Sequence, residues 1–446
     1  MSGKDTLIID LGAGYVKIGS VSESEPRQVI NSVTKAKHVK TRVFVGNELD
    51  ECKDLSGLYY QLPFQKGYLL NWELQKQVLD HCLKPYADKR PLSEWQVIVT
   101  EPCINFSPVA EALDEVLFEE YGFKAVARLP AAFLAAQRDQ RQRGVSPADH
   151  ACLVLDCGYS FSHAAAYRRG RLVPGSVRRV NVGGKVLTNY LKEAISYRQL
   201  MVMDETHVMN QCKEDACFVS GNFDADLAAM SRAAQRSPLD SEAQERCQKL
   251  CCEYVLPDYA QHRRGFVRQL GSQKQQQQVV ACCFCSFLFV WERGLPIHQE
   301  QTLRLGIERV ATPELLFRPS DAGIPEMGVA EALCDTLSGL PPHEQPLYTD
   351  AVVLAGGSCR FAGFANRLET ELRASLPDDF PLGVRCHGDP AAQAWLGGRD
   401  LALSPDGALE CYAVSRKDYR ITGPPCATKD LLSLPDACRG KSAELP

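Results

Sequence analysis

Residues 6–19 read Thr6-Leu-Ile-Ile-Asp10-Leu-Gly12-Ala13-Gly14-Tyr15-Val-Lys17-Ile-Gly19, and the parsing of this stretch decides the fold. The apolar run from Thr6 to Ile9 has the composition of a β-strand. An acid closes it, Gly12 and Gly14 form a tight turn, and a second strand begins at Tyr15. The glycines let backbone N–H groups approach an anion and Lys17 adds a positive charge, which describes a phosphate-binding hairpin. Glycine-rich hairpins are common, so the signal rests on recurrence. Cys152-Leu-Val-Leu-Asp156-Cys-Gly158 is a second apolar strand ending in Asp-x-Gly. Ala351-Val-Val-Leu-Ala-Gly356-Gly357-Ser358 is a third strand that runs into glycines. Two Asp-x-Gly hairpins and a late Gly-Gly turn predict an α/β protein with a nucleotide cleft between two lobes.

The chain has 446 residues, with 50 basic and 55 acidic side chains and a net charge of −5. That length holds roughly two to four domains or subdomains. The charge balance excludes a bulk electrostatic footprint for nucleic acid. No apolar leader precedes Asp5, and no run reaches the ~18 apolar residues of a membrane span, so no membrane association is expected. The 19 cysteines are expected as reduced thiols. Cys247, Cys251 and Cys252, and then Cys282, Cys283 and Cys285, include adjacent pairs that fit tetrahedral zinc poorly; buried thiols, not zinc, are expected there.

The first lobe is expected over residues 1–146, with a small subdomain at about 32–62, and is completed by 393–446. The second lobe covers 147–392 and carries an insertion-bearing subdomain at about 183–299. Leu74, Val78, Leu79 and Cys82 form the buried stripe of a helix. Val109–Tyr121 reads as an amphipathic helix, and Ala127–Gln137 as another with Pro130 in its first turn. Gly183 opens a helix, and Glu205–Ser220 forms the next. Residues 221–300 are the least regular, with a glutamine run at Gln275–Gln278 and an apolar, cysteine-rich run from Val279 to Trp291.

These stretches resemble the actin family from end to end. The Asp10 hairpin stands at that family's first phosphate loop, Asp156-Cys-Gly158 at the second, and Gly356-Gly357-Ser358 at the adenosine loop. Pro313–Ser320 and Trp395-Leu-Gly-Gly398 look like two further signatures. Within the family, Asn181–Leu200, Met203–Asp215, Tyr254–Tyr259 and Pro319–Gly328 are similar to a nuclear actin-related branch. Only residues near 270–299 fall outside the resemblance.

The resemblance implies a ribonuclease H-like duplicated fold of four subdomains around a cleft for ATP or ADP with Mg²⁺. Asp10, Gly12, Ala13, Gly14, Tyr15, Lys17, Asp156 and Gly158 would face the phosphates, with Asp10 and Asp156 holding the metal through water. Lys213, Glu214, Gly356, Gly357 and Ser358 would flank the nucleoside. Three departures weigh against turnover. Ala13 stands for a serine, Tyr159-Ser160 for an Asp-Gly pair, and Ala391 for a lysine that packs on the base. Loss of a carboxylate from the water and metal shell removes transition-state stabilisation, where one group is worth about 10²–10³ in rate. Gln137 stands in the register of the family's water-positioning glutamine and His163 follows the second hairpin; both are weak catalytic candidates. The expectation is nucleotide binding with little or no hydrolysis.

The branch implies an architectural subunit of a Swr/SRCAP-type remodelling complex that deposits a variant histone of the H-two-A class. Its partners would be a zinc-finger HIT protein, RuvB-like ATPases and a Swi/Snf-class motor. It would reside in the nucleus, with a cytoplasmic pool allowed. Nucleosome contact through Arg168, Arg169, Arg171, Arg178 and Arg179, or through His262, Arg263 and Arg264, is a further expectation. The alternative is a cytoskeletal, filament-forming ATPase, against which stand the short basic 32–62 region and the 221–300 insertion.

Overall fold

A computed structural model describes residues 5–36, 43–52, 58–235, 237–258, 261–269, 300–405 and 407–423. The glutamine run and the cysteine-rich run expected between 270 and 299 lie outside the described residues.

Two six-stranded sheets carry the architecture. In the first, Thr6–Leu11 pairs antiparallel with Tyr15–Ser20, which pairs with Arg27–Ile30. On its other side Thr6–Leu11 runs parallel to Gln96–Glu101, followed by Ala125–Pro130 and the late strand Val414–Ser415. The second sheet repeats this order. Ala151–Cys157 pairs antiparallel with Ser162–Arg168, which takes Arg171–Leu172 and Arg178–Val180. Its other neighbour is the parallel strand Val352–Ala355, and then Val384–Arg385. The two-lobed, internally repeated α/β plan is therefore present in the strand order itself.

Both faces of each sheet are covered, which is why the central strands are apolar throughout rather than alternating. Leu7, Ile9, Val97 and Val99 pack on Val78, Leu79 and Cys82 of the Trp72–Ala87 helix. Leu153, Leu155, Val352 and Leu354 pack on Leu333 of the Val329–Ser338 helix and Leu368 of Phe364–Ser375. The remaining faces meet two helices between the sheets, Ala131–Arg143 and Gln393–Ala402. Ile8, Ile98, Cys152, Val154, Val353 and Trp395 share that middle layer. The two helices cross so closely that a Cβ at Gly397 would lie 2.0 Å from the Leu134 carbonyl oxygen.

Three expectations change. Ala127–Gln137 is not one helix: Ala125–Pro130 is a buried strand and the helix starts at Ala131. Pro130 caps it from outside, and the alanine-rich composition hid a strand that is buried on both faces. Residues 221–250 are regular, forming the helices Phe223–Ala234 and Ser241–Leu250. A small sheet follows from Cys252–Val255, Phe266–Arg268 and Thr302–Leu305. Cys247, Cys251 and Cys252 are buried, whereas Cys411 is disulfide-bonded, against the expectation of reduced cysteines.

The helix crossing gives a direct test. Gly397→Ala forces the two helices apart and is expected to destabilise the protein by about 1–3 kcal/mol, as overpacking does. Gly221→Ala, where a Cβ meets nothing within 4 Å, is expected to leave the thermal unfolding midpoint unchanged.

Candidate functional site

The carboxyl ends of Thr6–Leu11 and Gln96–Glu101 in one sheet, and of Ala151–Cys157 and Val352–Ala355 in the other, open on one cavity of about 680 Å³. Carboxyl ends of parallel strands are where α/β sheets bind ligands. From the first hairpin Asp10, Gly12, Ala13, Gly14, Tyr15 and Lys17 line it. The second contributes Asp156, Gly158, Tyr159 and His163. Lys213 and Glu214 on the Thr206–Ala216 helix, with Gly356, Gly357 and Ser358, close the far end. Gln137 is not among the lining residues; its Nε2 sits by the Gly170 turn, 3.4 Å from where a Cβ there would stand.

The two aspartates share a sequence pattern but not an environment. Asp10 faces Lys17 across its hairpin, and Asp156 faces His163 at the matching register. Lys17 Nζ donates to Asp10 Oδ2 at 2.6 Å, and the Thr100 hydroxyl donates to Oδ1 at 2.8 Å. Among the described residues no cation pairs with Asp156 in this way. Burial first, and then the charge of Asp10, raise its pKa to about 6, with Lys17 opposing. Burial, and then Arg179, lower His163 to about 4, so its ring is neutral at pH 7. It packs on Phe161 with centroids 4.4 Å apart. Its Nε2 has no hydrogen-bond partner among the described residues.

The glycines supply the complementary donors. Gly356 has φ +89°, and a Cβ there would lie 2.3 Å from the Cys157 oxygen and 2.8 Å from Asp156 Oδ1. Only glycine lets this strand end approach the carboxylate. Among the described residues the amides of Ala13, Gly14, Tyr159, Ser160 and Gly357 have no backbone acceptor. Free amides in tight turns form an anion nest, and an underpaired buried carboxylate suits a divalent cation. The residues present thus fit a phosphate chain, with Asp10 and Asp156 able to hold Mg²⁺. Lys213 contributes less directly than expected. Its Nζ donates to Gly184 O at 3.1 Å, Thr188 Oγ1 at 2.9 Å and Asn210 Oδ1 at 2.8 Å. Burial lowers its pKa to about 8. Glu214 accepts from Asn210 Nδ2 at 2.7 Å.

Thr100 and Arg360 are among the cavity residues that the sequence motifs do not mark. Thr100 is the next-to-last residue of Gln96–Glu101, and the parallel register beside Thr6–Leu11 brings it to Asp10. Arg360 lines the cavity from the turn after Gly357 and pairs with Asp389.

A clasp forms beside Gly67 and Phe161, which line the cavity. Arg179 donates to the Tyr68 hydroxyl at 2.5 Å and to Lys66 O at 2.7 Å, and its guanidinium lies 4.4 Å from the Phe161 ring centre. Arg178 pairs with Asp335 and Arg264 with Asp215. Arg178, Arg179 and Arg264, three of the residues expected to contact the nucleosome, each have an acceptor within the chain. Away from the cleft, Asp139 accepts from or shares protons with His150 Nε2 at 3.1 Å and His387 Nε2 at 2.8 Å. Against the pull of burial, those hydrogen bonds hold its pKa below the ordinary value. No described helix is long and apolar enough to cross a membrane.

A duplicated sheet pair, two Asp-x-Gly hairpins and an amide-lined cavity define a class, and the chain belongs to the actin family: that family's model, described as Actin, matches residues 1–430. It is similar to Actin-related protein 6 of Drosophila melanogaster, 38% identical over 422 residues that cover 94% of this chain and 97% of the relative. The Actin-like protein C08B11.6 of Caenorhabditis elegans is 34% identical, with 93% and 89% covered. Actin-related protein 6 of Oryza sativa subsp. japonica is 32% identical, with 94% and 97% covered.

Asp156 sets a pH test. Its folded pKa near 6 lies above the ordinary 3.8, so in the ligand-free protein its contribution favours folding at low pH and is lost as pH rises through about 6. A bound cation requires the ionised form and reverses this. Thermal stabilisation by Mg²⁺ with ADP is therefore expected at neutral pH and to fade below about pH 6. Asp156→Asn should remove the part of this pH dependence that exceeds the titration of the nucleotide's own terminal phosphate. Stabilisation that persists unchanged at pH 5 would rule out a metal role for Asp156.

Proposed function

We propose that this actin-related protein is a non-filamentous, architectural subunit of a Swr/SRCAP-type nuclear remodelling complex that exchanges a variant histone of the H-two-A class. A zinc-finger HIT protein, RuvB-like ATPases and a Swi/Snf-class motor are its proposed partners. The observation that carries this reading is similarity along nearly the whole chain to proteins named Actin-related protein 6.

The nucleotide, ADP or ATP with Mg²⁺, has a structural role in this reading. Binding is supported by the free amides and by the Asp10–Lys17 pair. Weak hydrolysis is supported by Tyr159 where the family pattern has an acid, by Ala13 without a hydroxyl, and by the position of Gln137 away from the cavity. Ala391, in place of the base-packing lysine, also lines the cavity.

Two measurements test the reading. Purification of the tagged full-length chain from nuclei is expected to bring down the motor and the RuvB-like ATPases in fixed stoichiometry. The isolated chain should stay in the supernatant on adding salt and Mg²⁺ and turn over ATP more slowly than monomeric actin. Sedimenting filaments would replace the scaffold reading with the cytoskeletal one.

A further inference from the structure

The space between the two hairpin turns is filled by a side chain. Tyr159 follows Gly158 directly, and its ring lines the cavity. A Cβ at Gly14 would lie 2.9 Å from Tyr159 Cγ and 3.1 Å from Cδ2. A Cβ at Gly184 would lie 3.3 Å from the same Cδ2. The ring edge thus lies against both the first hairpin's turn and the start of the Gly184–Arg198 helix; a side chain at Gly14 would clash with it, and one at Gly184 would press on it. The backbone beneath it is fixed: Lys185 N donates to Tyr159 O at 2.8 Å and Gly184 N to Gly158 O at 3.0 Å. A Cβ at Gly183 would come within 2.8 Å of the Tyr159 oxygen.

An anion bound by both turns at once must sit between the Ala13–Gly14 amides and the Tyr159–Ser160 amides. That is the volume the ring takes. The cavity remains open toward Lys213, Glu214 and Gly357, where a Cβ at Gly357 meets nothing within 4 Å. A nucleotide entering from that end reaches the first turn and Lys17 with its second phosphate, and a third would have to enter the occupied gap. We propose that Tyr159 is a specificity-determining residue that makes this a nucleoside diphosphate site, excluding the terminal phosphate of a triphosphate by filling the gap between Gly14 and Gly184. The proposal rests on the nucleotide reading of the cavity and narrows it. Removing the phosphate-bridging space also removes the place where hydrolysis would occur, so exclusion and inactivity share one cause.

The test is equilibrium binding of Mg-ADP and of a non-hydrolysable Mg-ATP analogue to the full-length chain. The native protein is expected to favour the diphosphate by about tenfold or more, the scale of one steric conflict in a packed site. Tyr159→Ala should bring the two affinities together, while Tyr159→Phe, which keeps the ring, should preserve the preference. Should the alanine variant fail to fold, the native protein still decides. Beryllium fluoride added with Mg-ADP fills a vacant third-phosphate position, and no bound fluorine resonance is expected. A bound resonance, equal affinity in the native protein, or a ratio unmoved by Tyr159→Ala overturns the proposal. Absence of binding by either nucleotide instead overturns the nucleotide reading itself, and the proposal with it.

Discussion

The structure depends on the contact of two helices in its middle layer. Ala131–Arg143 and Gln393–Ala402 each pack on both sheets, and their separation is set where Gly397 meets the Leu134 carbonyl. A shorter distance would clash, and a longer one would open the layer that buries Ile8, Ile98, Val154 and Val353. Trp395 from the second helix reaches up against Gly19, leaving no room for a Cβ there. The return hairpin strand is therefore fixed by the same helix that fixes the sheets. The chain passes between sheets around residues 144–150 and again after Val384–Arg385, and Asp139 ties both passages through His150 and His387. The distance between the two Asp-x-Gly hairpins follows from these contacts.

Within that frame the duplication is geometric but not chemical. One register position holds Lys17 opposite Asp10 and His163 opposite Asp156. The lysine neutralises its partner. The histidine, buried beside Arg179, stays neutral and leaves its partner without a counter-charge. A side chain completes the first half, and the second leaves a buried carboxylate of the kind that suits a cation. Symmetry of backbone thus comes with asymmetry of charge.

What could be read from sequence was local. Strand, acid, glycine turn and return strand lie within about fourteen residues, and each step has its own physical preference. The late Gly356-Gly357 turn was legible for the same reason. Thr100 was not, because its place beside Asp10 depends on pairing between strands 90 residues apart. Pro130 was misread because alanine and leucine serve a doubly buried strand as well as a helix. Gln137 has the right register along its helix, yet the rotation of that helix turns it toward the Gly170 turn and away from the cavity. The crowding at Tyr159 was visible as a change of residue type; the partners it crowds, Gly14 and Gly184, were not.

The Arg179 clasp bears on how the two lobes move. Its guanidinium, on the second lobe beside the Phe161 ring, donates to Lys66 O and to the Tyr68 hydroxyl on the first. On this side the lobes part only when both charge-assisted hydrogen bonds break together. Opening there is a discrete step rather than gradual breathing, and between such steps the body presents one fixed outline to whatever it meets.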